Sequence, residues 1–197
     1  MGDGSGRLDG YEVLLCLSGG IACYKSADLT SKLVQAGAGV SVAMTEAATQ
    51  FVQPLTFQAL THRQVFTSMW QSTRDYNARH LDLTARADLM VIAPATADIL
   101  AKMACGLADD LVSTLALSAC GACEILVAPA MNTRMYQAPP TQANLARLTG
   151  WGVQIIGPES GPLACGELGP GRMSEPADIL ERIASLLLAS PAKGLKS

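Results

Sequence analysis

Short apolar runs alternate with helical stretches along this chain, and this alternation constrains the fold more than any other feature. The runs are the length of strands and are rich in valine, isoleucine and leucine, at residues 13–17, 40–44, 89–93, 125–128 and 153–156. Continuous apolar runs of this kind are typical of parallel strands that are covered on both faces. The pattern therefore predicts an α/β fold, with a parallel sheet between two layers of helices.

The segments between the runs predict where the helices lie. Apolar spacing and capping residues indicate helices at residues 22–35, 109–119, 142–148 and 176–188, and a short additional strand fits residues 64–66. The stretch 157–171 is rich in glycine and proline, and we expect a long loop there. One domain is predicted at residues 11–189, with a disordered tail at 1–10 and a tail or linker at 190–197.

Composition excludes several classes of function. Hydrophobic residues make up 49% of the 197 residues, charged residues make up 16%, and the formal net charge is -3. The sequence contains no run of basic residues, so nucleic acid is not expected as a partner. No apolar run approaches the roughly 18–20 residues of a membrane span. The first ten residues lack the features of a signal peptide, so a cytoplasmic location with reduced cysteines is expected.

The Cys120-x-x-Cys123 pair precedes a strand, whereas the cysteine pairs of redox proteins open a helix. A zinc site would need more ligands than this turn offers, so we expect no metal site.

The stretch Pro129-Ala130-Met131-Asn132, with Met135 three residues on, follows the fourth apolar run directly. Ligands of open α/β sheets bind beyond the carboxyl ends of the strands, so Asn132 is a candidate site residue. Its amide can donate to a carboxylate, and a position at the start of a helix would add attraction for an anion. Asparagine is also a preferred helix N-cap. The residue type alone does not choose between these roles.

Small and hydroxylic residues follow the other runs. Ser18-Gly19-Gly20 opens a helix and could cradle a phosphate, although many such turns bind nothing. Thr45 stands where dinucleotide enzymes place an acid for the adenosine ribose, which favours a mononucleotide such as FMN. Thr96 could hydrogen-bond a flat ring or simply cap a helix.

Two further residues could transfer protons. His80 precedes a helical stretch and could act as a base or bind a substrate anion, but a lone histidine is commonly structural. Cys165 lies in the glycine-rich segment and could donate a proton to a bound substrate, or it could be incidental.

Taken together, these segments resemble the family of homo-oligomeric flavin-containing cysteine decarboxylases (HFCD). The resemblance is strongest to the branch that decarboxylates 4'-phosphopantothenoylcysteine (PPC) in coenzyme A biosynthesis, which forms the amino-terminal half of a bifunctional bacterial flavoprotein. It covers roughly residues 12–180. The matching motifs are LSGGIA from Leu17, MTEAA from Met44, HLDL from His80, APATAD from Ala93, DLVST from Asp110, PAMNTRMY from Pro129, and the segment around Cys165.

The resemblance implies a three-layer fold of the Rossmann-like or flavodoxin-like kind, with a parallel six-stranded sheet between helices. It also implies a trimer or a dodecamer of trimers. It implies FMN as cofactor and a fused or associated PPC synthetase as a further partner. The implied reaction oxidises the substrate thiol to a thioaldehyde, releases CO2 and reduces the resulting enethiolate to 4'-phosphopantetheine. In that reaction His80 would be a base or orienting group, Asn132 would bind the carboxylate beside Met135, and Cys165 would supply a proton. Further residues would line the FMN site, namely Ser18, Gly19, Thr45, Thr96 and Ser113.

Other members of the same fold are alternatives. Peptidyl-cysteine decarboxylases of lantibiotic maturation share it, but residues 129–136 and the Gly-Pro-Gly-Arg-Met ending of the Cys165 segment look more like the coenzyme A branch. Flavin prenyltransferases would not need Asn132, Met135 and Cys165 together. Non-catalytic flavin-binding regulatory subunits typically carry long acidic extensions, which this sequence lacks.

Overall fold

Six parallel strands form the sheet at the centre of the computed structural model, which describes residues 6–70, 79–162 and 168–195. In chain order the strands are β1 (Glu12–Leu17), β2 (Gly39–Met44), β3 (Val65–Phe66), β4 (Leu89–Ala95), β5 (Glu124–Pro129) and β6 (Gln154–Ile155). Across the sheet their order is β3-β2-β1-β4-β5-β6. The order reverses between β1 and β4, where sheets of this kind bind ligands beyond the strand ends. The predicted parallel sheet is confirmed.

Helices cover both faces of the sheet. The described residues form α1 (Cys23–Gln35), α2 (Glu46–Thr49), α3 (Pro54–Thr61), α4 (Arg79–Arg86), α5 (Ala97–Cys105), α6 (Leu111–Ala119), α7 (Thr133–Gln137), α8 (Pro139–Gly150) and α9 (Pro176–Leu187). Helices α1, α3 and α9 pack into the core on one face, and α5, α6 and α8 pack into the core on the other. The arrangement has three layers, as expected for an α/β fold.

Alternating side chains of β1 supply both cores. Val13, Leu15 and Leu17 belong to the core beneath α1 and α9, whereas Leu14 and Cys16 belong to the opposite core. All five side chains are at most 1% exposed. Successive side chains of a strand point to opposite faces, so a strand covered on both sides must be apolar throughout. The apolar runs in the sequence are uninterrupted because both faces of these strands are buried.

The segment 157–171 is not the single long loop that its composition predicted. It contains an antiparallel hairpin of β7 (Glu159–Pro162) and β8 (Leu168–Arg172), in which Pro162 pairs with Leu168. Glycine and proline are depleted in most strands, which is why the composition indicated a loop. Cys165 lies in the chain between these strands and outside the described residues.

Strand β8 lies against the segment that follows β5. The Met131 amide donates to the Gly171 carbonyl oxygen at 2.9 Å. Gly171 has a φ of 147°, and a Cβ there would lie 2.2 Å from the Met131 carbonyl oxygen. Only glycine permits so close an approach of two backbones.

Residues 6–11, which precede β1, pack on the domain, although residues 1–10 were expected to form a disordered tail. Residues 1–5 of that expected tail lie outside the described part of the chain. Leu8 is fully buried, and its amide donates to the Ala36 carbonyl oxygen at 2.7 Å. Arg7 forms an ion pair with Glu181 of α9 at 2.8 Å. The packed region therefore begins earlier than residue 11, because one leucine in a polar segment is enough to hold it.

Residues that follow α9, up to residue 195, also pack on the domain, where a tail or linker was expected at residues 190–197. Residues 196 and 197 lie outside the described ranges. Ala192 is fully buried. The Lys193 amide donates to Asp88, and its ammonium donates to the carbonyl oxygens of Ala87 and Ala122 at 2.6 and 2.8 Å. No helix within the described ranges is long and apolar enough to cross a bilayer.

Candidate active site

A cleft of about 1270 Å³ opens beyond the carboxyl ends of β1, β2, β4 and β5, beside the reversal in strand order. Parallel strands bring their carboxyl ends to one edge of the sheet, so residues far apart in the sequence meet there. The predicted site residues that line the cleft are Ser18, Gly19, Thr45, Thr96, Asn132 and Met135.

Ser18 joins the ends of β1 and β4. Its hydroxyl donates to the Pro94 carbonyl oxygen at 2.7 Å and accepts from the Thr96 amide at 2.9 Å, and the residue is 2% exposed. Ser26 of α1 donates to the neighbouring Ala93 carbonyl oxygen at 2.7 Å. Both hydroxyls therefore fix the end of β4, and Ser18 shapes the floor of the cleft chiefly through its position.

Gly19 is required by the close approach of the turn after β2. A Cβ at Gly19 would lie 2.4 Å from the Ala47 Cβ and 2.8 Å from its carbonyl carbon. Thr45 caps α2 there, since its hydroxyl accepts from the Ala48 amide at 3.1 Å. The ends of β1 and β2 thus form one continuous wall.

The turn from β1 into α1 presents backbone amides to the cleft. The N–H groups of Gly19, Gly20 and Ile21 donate to no acceptor within residues 6–70, 79–162 and 168–195. Consecutive amides at the start of a helix are suited to bind an anionic group such as a phosphate. These amides are the donors of the cradle that the sequence predicted, and their binding of a phosphate stays a prediction.

Asn132 has the helix-capping role that the sequence left open. Its Oδ1 accepts from the Arg134 amide at 2.7 Å at the start of α7, and the half-buried residue also lines the cleft. Met135 follows on the same helix, is 51% exposed and lines the cleft as well. Capping and contact with a ligand are therefore compatible at Asn132.

Lys102 and three carboxylates form a charged rim that the sequence did not reveal as a site. The Lys102 ammonium lies 2.7 Å from Asp110, 3.0 Å from Asp109 and 3.5 Å from Asp98. The hydrogen bond that the Lys102 ammonium donates to the Asp110 carboxylate is the main cause that raises the pKa of Lys102 above its usual value. The ammonium stays charged at neutral pH, which rules it out as a general base.

Another part of the cleft lining is formed by the end of β8 and the residues that follow it. Arg172, Met173 and Glu175 line this side of the cleft together with Lys25 of α1. Sequence reasoning missed these residues, because their contacts join positions about 150 residues apart and leave no local pattern.

Acid should loosen the hairpin, because the Arg172 guanidinium beside Glu159 holds the pKa of that carboxyl below its usual value of 4.5. A carboxyl with a lowered pKa stabilises the folded state fully above the unfolded-state pKa, and this contribution is lost as pH falls through the folded-state pKa. The melting temperature of Glu159→Gln should therefore lie below that of the wild type at pH 7, and the two should converge as pH falls below the lowered pKa of the Glu159 carboxyl. A constant difference at every pH would contradict this assignment.

The remaining predicted site residues either do not line the cleft or lie outside the part of the chain that the structure describes. The Ser113 hydroxyl accepts from the Asp110 amide at 3.1 Å in a capping box, and Ser113 is not among the lining residues of the cleft in the described chain. His80 lies in the first turn of α4, but its side chain falls outside the described part, as does Cys165. Cys120 and Cys123 border a separate cavity of about 460 Å³. Within the described ranges no cluster of His, Cys, Asp and Glu could hold a metal ion.

The chain is similar in sequence or fold to a coenzyme A biosynthesis protein, a PPC decarboxylase and an FMN binding protein. The coenzyme A biosynthesis bifunctional protein CoaBC of Bacillus subtilis is 47% identical over 174 residues, which cover 88% of this chain and 42% of that protein. A PPC decarboxylase mutant complexed with pantothenoylaminoethenethiol superposes with a TM-score of 0.83 and 32% identity, covering 91% of this chain and 99% of that chain. The FMN binding protein AtHal3 gives a TM-score of 0.82 and 31% identity, covering 92% and 99%.

This chain therefore spans less than half the length of the curated CoaBC relative. The model of the Flavoprotein family matches residues 2–188, which is nearly all of the chain. Together with the parallel sheet and the cleft at its strand switch, this match shows that the chain belongs to the Flavoprotein family.

Proposed function

We propose that this chain is an FMN-dependent decarboxylase that converts PPC to 4'-phosphopantetheine in coenzyme A biosynthesis. The observation that carries the proposal is the cleft, which Asn132 and Met135 line together with the turn of residues 19–21. The 32% identity to a PPC decarboxylase that was solved with pantothenoylaminoethenethiol supports the same substrate. The 47% identity to a CoaBC protein favours the coenzyme A branch over the peptidyl-cysteine decarboxylases.

The cleft fits FMN by the chemistry of its donors and by its size. The unengaged amides of Gly19, Gly20 and Ile21 suit a phosphate, and the neighbouring Thr45 and Thr96 offer hydroxyls. The cleft volume of about 1270 Å³ exceeds the roughly 300–1,000 Å³ of most small-ligand sites. It has room for a cofactor and a substrate together.

The protein's own residues would bind the substrate and move protons. FMN, when bound, would supply the redox chemistry: removal of two electrons from the substrate thiol would allow the carboxylate to leave as CO2, and the same two electrons would be returned afterwards. Asn132 would donate from its amide to the substrate carboxylate, with Met135 on the same helix against the substrate chain. His80 would act as a base or orient the substrate, and Cys165 would supply the proton that completes the product.

The oligomeric state, a partner enzyme and the cellular location belong to the same proposal. Large apolar side chains stand exposed near the cleft, with Ile21 at 61%, Tyr24 at 62% and Leu168 at 79% exposure. Exposed apolar surface of this kind marks contacts between proteins, which supports a homo-oligomer, a trimer or a dodecamer of trimers, with the cleft near a subunit interface. A PPC synthetase, fused or associated, and a cytoplasmic location complete the proposal.

A comparison of two substrates tests the function. The FMN-loaded protein should release CO2 from PPC and form 4'-phosphopantetheine, and it should not decarboxylate a peptide that ends in cysteine. Turnover of the peptide alone would favour the peptidyl-cysteine alternative. A protein that binds FMN but turns over neither substrate would be a regulatory subunit instead.

Two adjacent glycines give a matched test of the cofactor cradle. Gly19→Ala should reduce the FMN content of the purified protein at least tenfold, because its Cβ would lie 2.4 Å from the Ala47 Cβ. Gly20→Ala should keep FMN, since its Cβ would meet nothing closer than the Thr96 Cγ2 at 3.5 Å. Flavin absorbance per subunit and the melting temperature measure both effects. Equal FMN content in the two variants would contradict the role of the Gly19 turn.

A further inference from the structure

A chain of four charged side chains fastens the β7–β8 hairpin to helix α1. The Lys25 ammonium donates to Glu175 Oε1 at 2.9 Å and to the Met173 carbonyl oxygen at 2.9 Å. Glu175 also lies 3.3 Å from Arg172, which in turn donates to Glu159 at 2.8 Å. The four charges alternate in sign and extend from α1 across both strands of the hairpin. We refer to these four residues as the hairpin network.

Lys25 is the buried member of the hairpin network. Its side chain is 9% exposed, whereas those of Arg172, Glu175 and Glu159 are between 31% and 45% exposed. A buried ammonium is tolerated only when it is paired and hydrogen-bonded, and removing one partner of such a group is far more disruptive than removing an exposed one. The attachment of β8 to α1 therefore depends on Lys25 more than on the other three residues.

Strand β8 transmits this attachment to the substrate side of the cleft. Two residues before Met173, the Gly171 carbonyl oxygen accepts from the Met131 amide at 2.9 Å, and Met131 directly precedes Asn132. The Glu159 carboxylate also accepts from the Glu175 amide at 3.1 Å, which closes the base of the hairpin. The backbone of residues 171–173 thus connects the Lys25 contact to the segment that carries Asn132.

We propose that Lys25 is a positioning residue for the decarboxylase reaction, one that holds β8 and the Met131–Asn132 segment in the place that the substrate contacts. The inference rests on the proposed function for its chemical readout. Lys25 acts through Glu175 and the Met173 carbonyl, since its ammonium is directed to those two acceptors. Loss of Lys25 should disturb the hairpin and the fate of the substrate while the cofactor is retained.

The experiment compares Lys25→Met with the wild type, both loaded with FMN. Hydrogen exchange followed by mass spectrometry should show amides of residues 159–162 and 168–172 exchanging at least tenfold faster in Lys25→Met. Cys165 lies in the chain between these strands, so the proton that completes the product should be delivered less often. The ratio of enethiol to 4'-phosphopantetheine formed from PPC should rise at least tenfold, with FMN content per subunit unchanged.

Two control variants separate positioning from general damage. Lys25→Arg can still pair with Glu175 and should restore most of the wild-type product ratio. Lys32→Met removes an exposed lysine of the same helix, 3.2 Å from Asp28, and should leave exchange and product ratio unchanged. Should Lys25→Met fail to fold, Glu175→Gln weakens the same contact and keeps the bond from Lys25 to Met173, so it should raise hairpin exchange and the product ratio in the same direction.

The outcomes distinguish this inference from the proposed function. Unchanged hairpin exchange in Lys25→Met, or loss of FMN with the hairpin intact, would overturn the positioning role, and in the second case Lys25 would be a cofactor contact. If the wild type releases no CO2 from PPC, the proposed function fails and the positioning role in that reaction falls with it. The exchange measurement would still report whether the hairpin network holds the hairpin.

Discussion

Replacing Cys165 with serine should leave the release of CO2 from PPC largely intact and abolish the formation of 4'-phosphopantetheine. The proposed role of the thiol is to give a proton to the enethiolate that decarboxylation leaves. A thiol has an ordinary pKa of about 8.5, and an aliphatic hydroxyl is a far weaker acid, so serine cannot replace it as a proton donor. General acid catalysis contributes about 10²–10⁴-fold, and the yield of reduced product should fall by a factor in that range.

A single-turnover experiment measures both halves of the reaction. FMN-loaded Cys165→Ser should release close to one CO2 per subunit and accumulate an enethiol that mass spectrometry identifies by its missing two hydrogens. Cys120→Ser makes the same substitution at an exposed cysteine beside the separate cavity and should behave like the wild type. Normal yields of 4'-phosphopantetheine from Cys165→Ser would show that another group delivers the proton.

The sheet was predictable from the sequence because its signal is local. Each predicted run matches an observed strand to within about two residues, since strands buried on both faces must be apolar throughout. The β7–β8 hairpin was not predictable in this way. It is held by contacts distant in the sequence, such as Gly171 with Met131 and Glu175 with Lys25, and its glycines and prolines conceal the usual strand pattern.

The site was predictable to the extent that its residues follow strands. Ser18, Thr45 and Thr96 come directly after β1, β2 and β4, and Asn132 comes three residues after the end of β5. Parallel topology brings such positions to one edge of the sheet. Lys25 comes from the face of α1, whereas Arg172, Met173 and Glu175 come from the end of the hairpin and the residues after it. Their roles arise from packing between α1 and residues 172–175, and no motif in the sequence records which helix faces which strand.

Asn132 allows the capping role and the proposed substrate role to be measured separately. Asn132→Asp should retain the fold and lose at least about 100-fold in kcat/KM on PPC. Aspartate and asparagine are equally good N-caps, so the acceptor for the Arg134 amide at 2.7 Å is retained. The amide donor, however, is exchanged for a negative charge that would face the substrate carboxylate. Loss of one donor to an anionic centre typically costs about 10²–10³-fold in rate, and repulsion adds to that loss.

Asn132→Ala and Asn132→Ser complete the comparison. Alanine removes the cap as well and should lower the free energy of unfolding by about 0.5–2 kcal/mol, whereas serine can cap and should stay close to the wild type. Urea unfolding and kcat/KM, measured on all three variants, give the two effects independently. If the substrate role is correct, activity falls in all three variants and stability falls chiefly in alanine. If Asn132 only caps α7, activity follows stability, and Asn132→Asp and Asn132→Ser remain as active as the wild type.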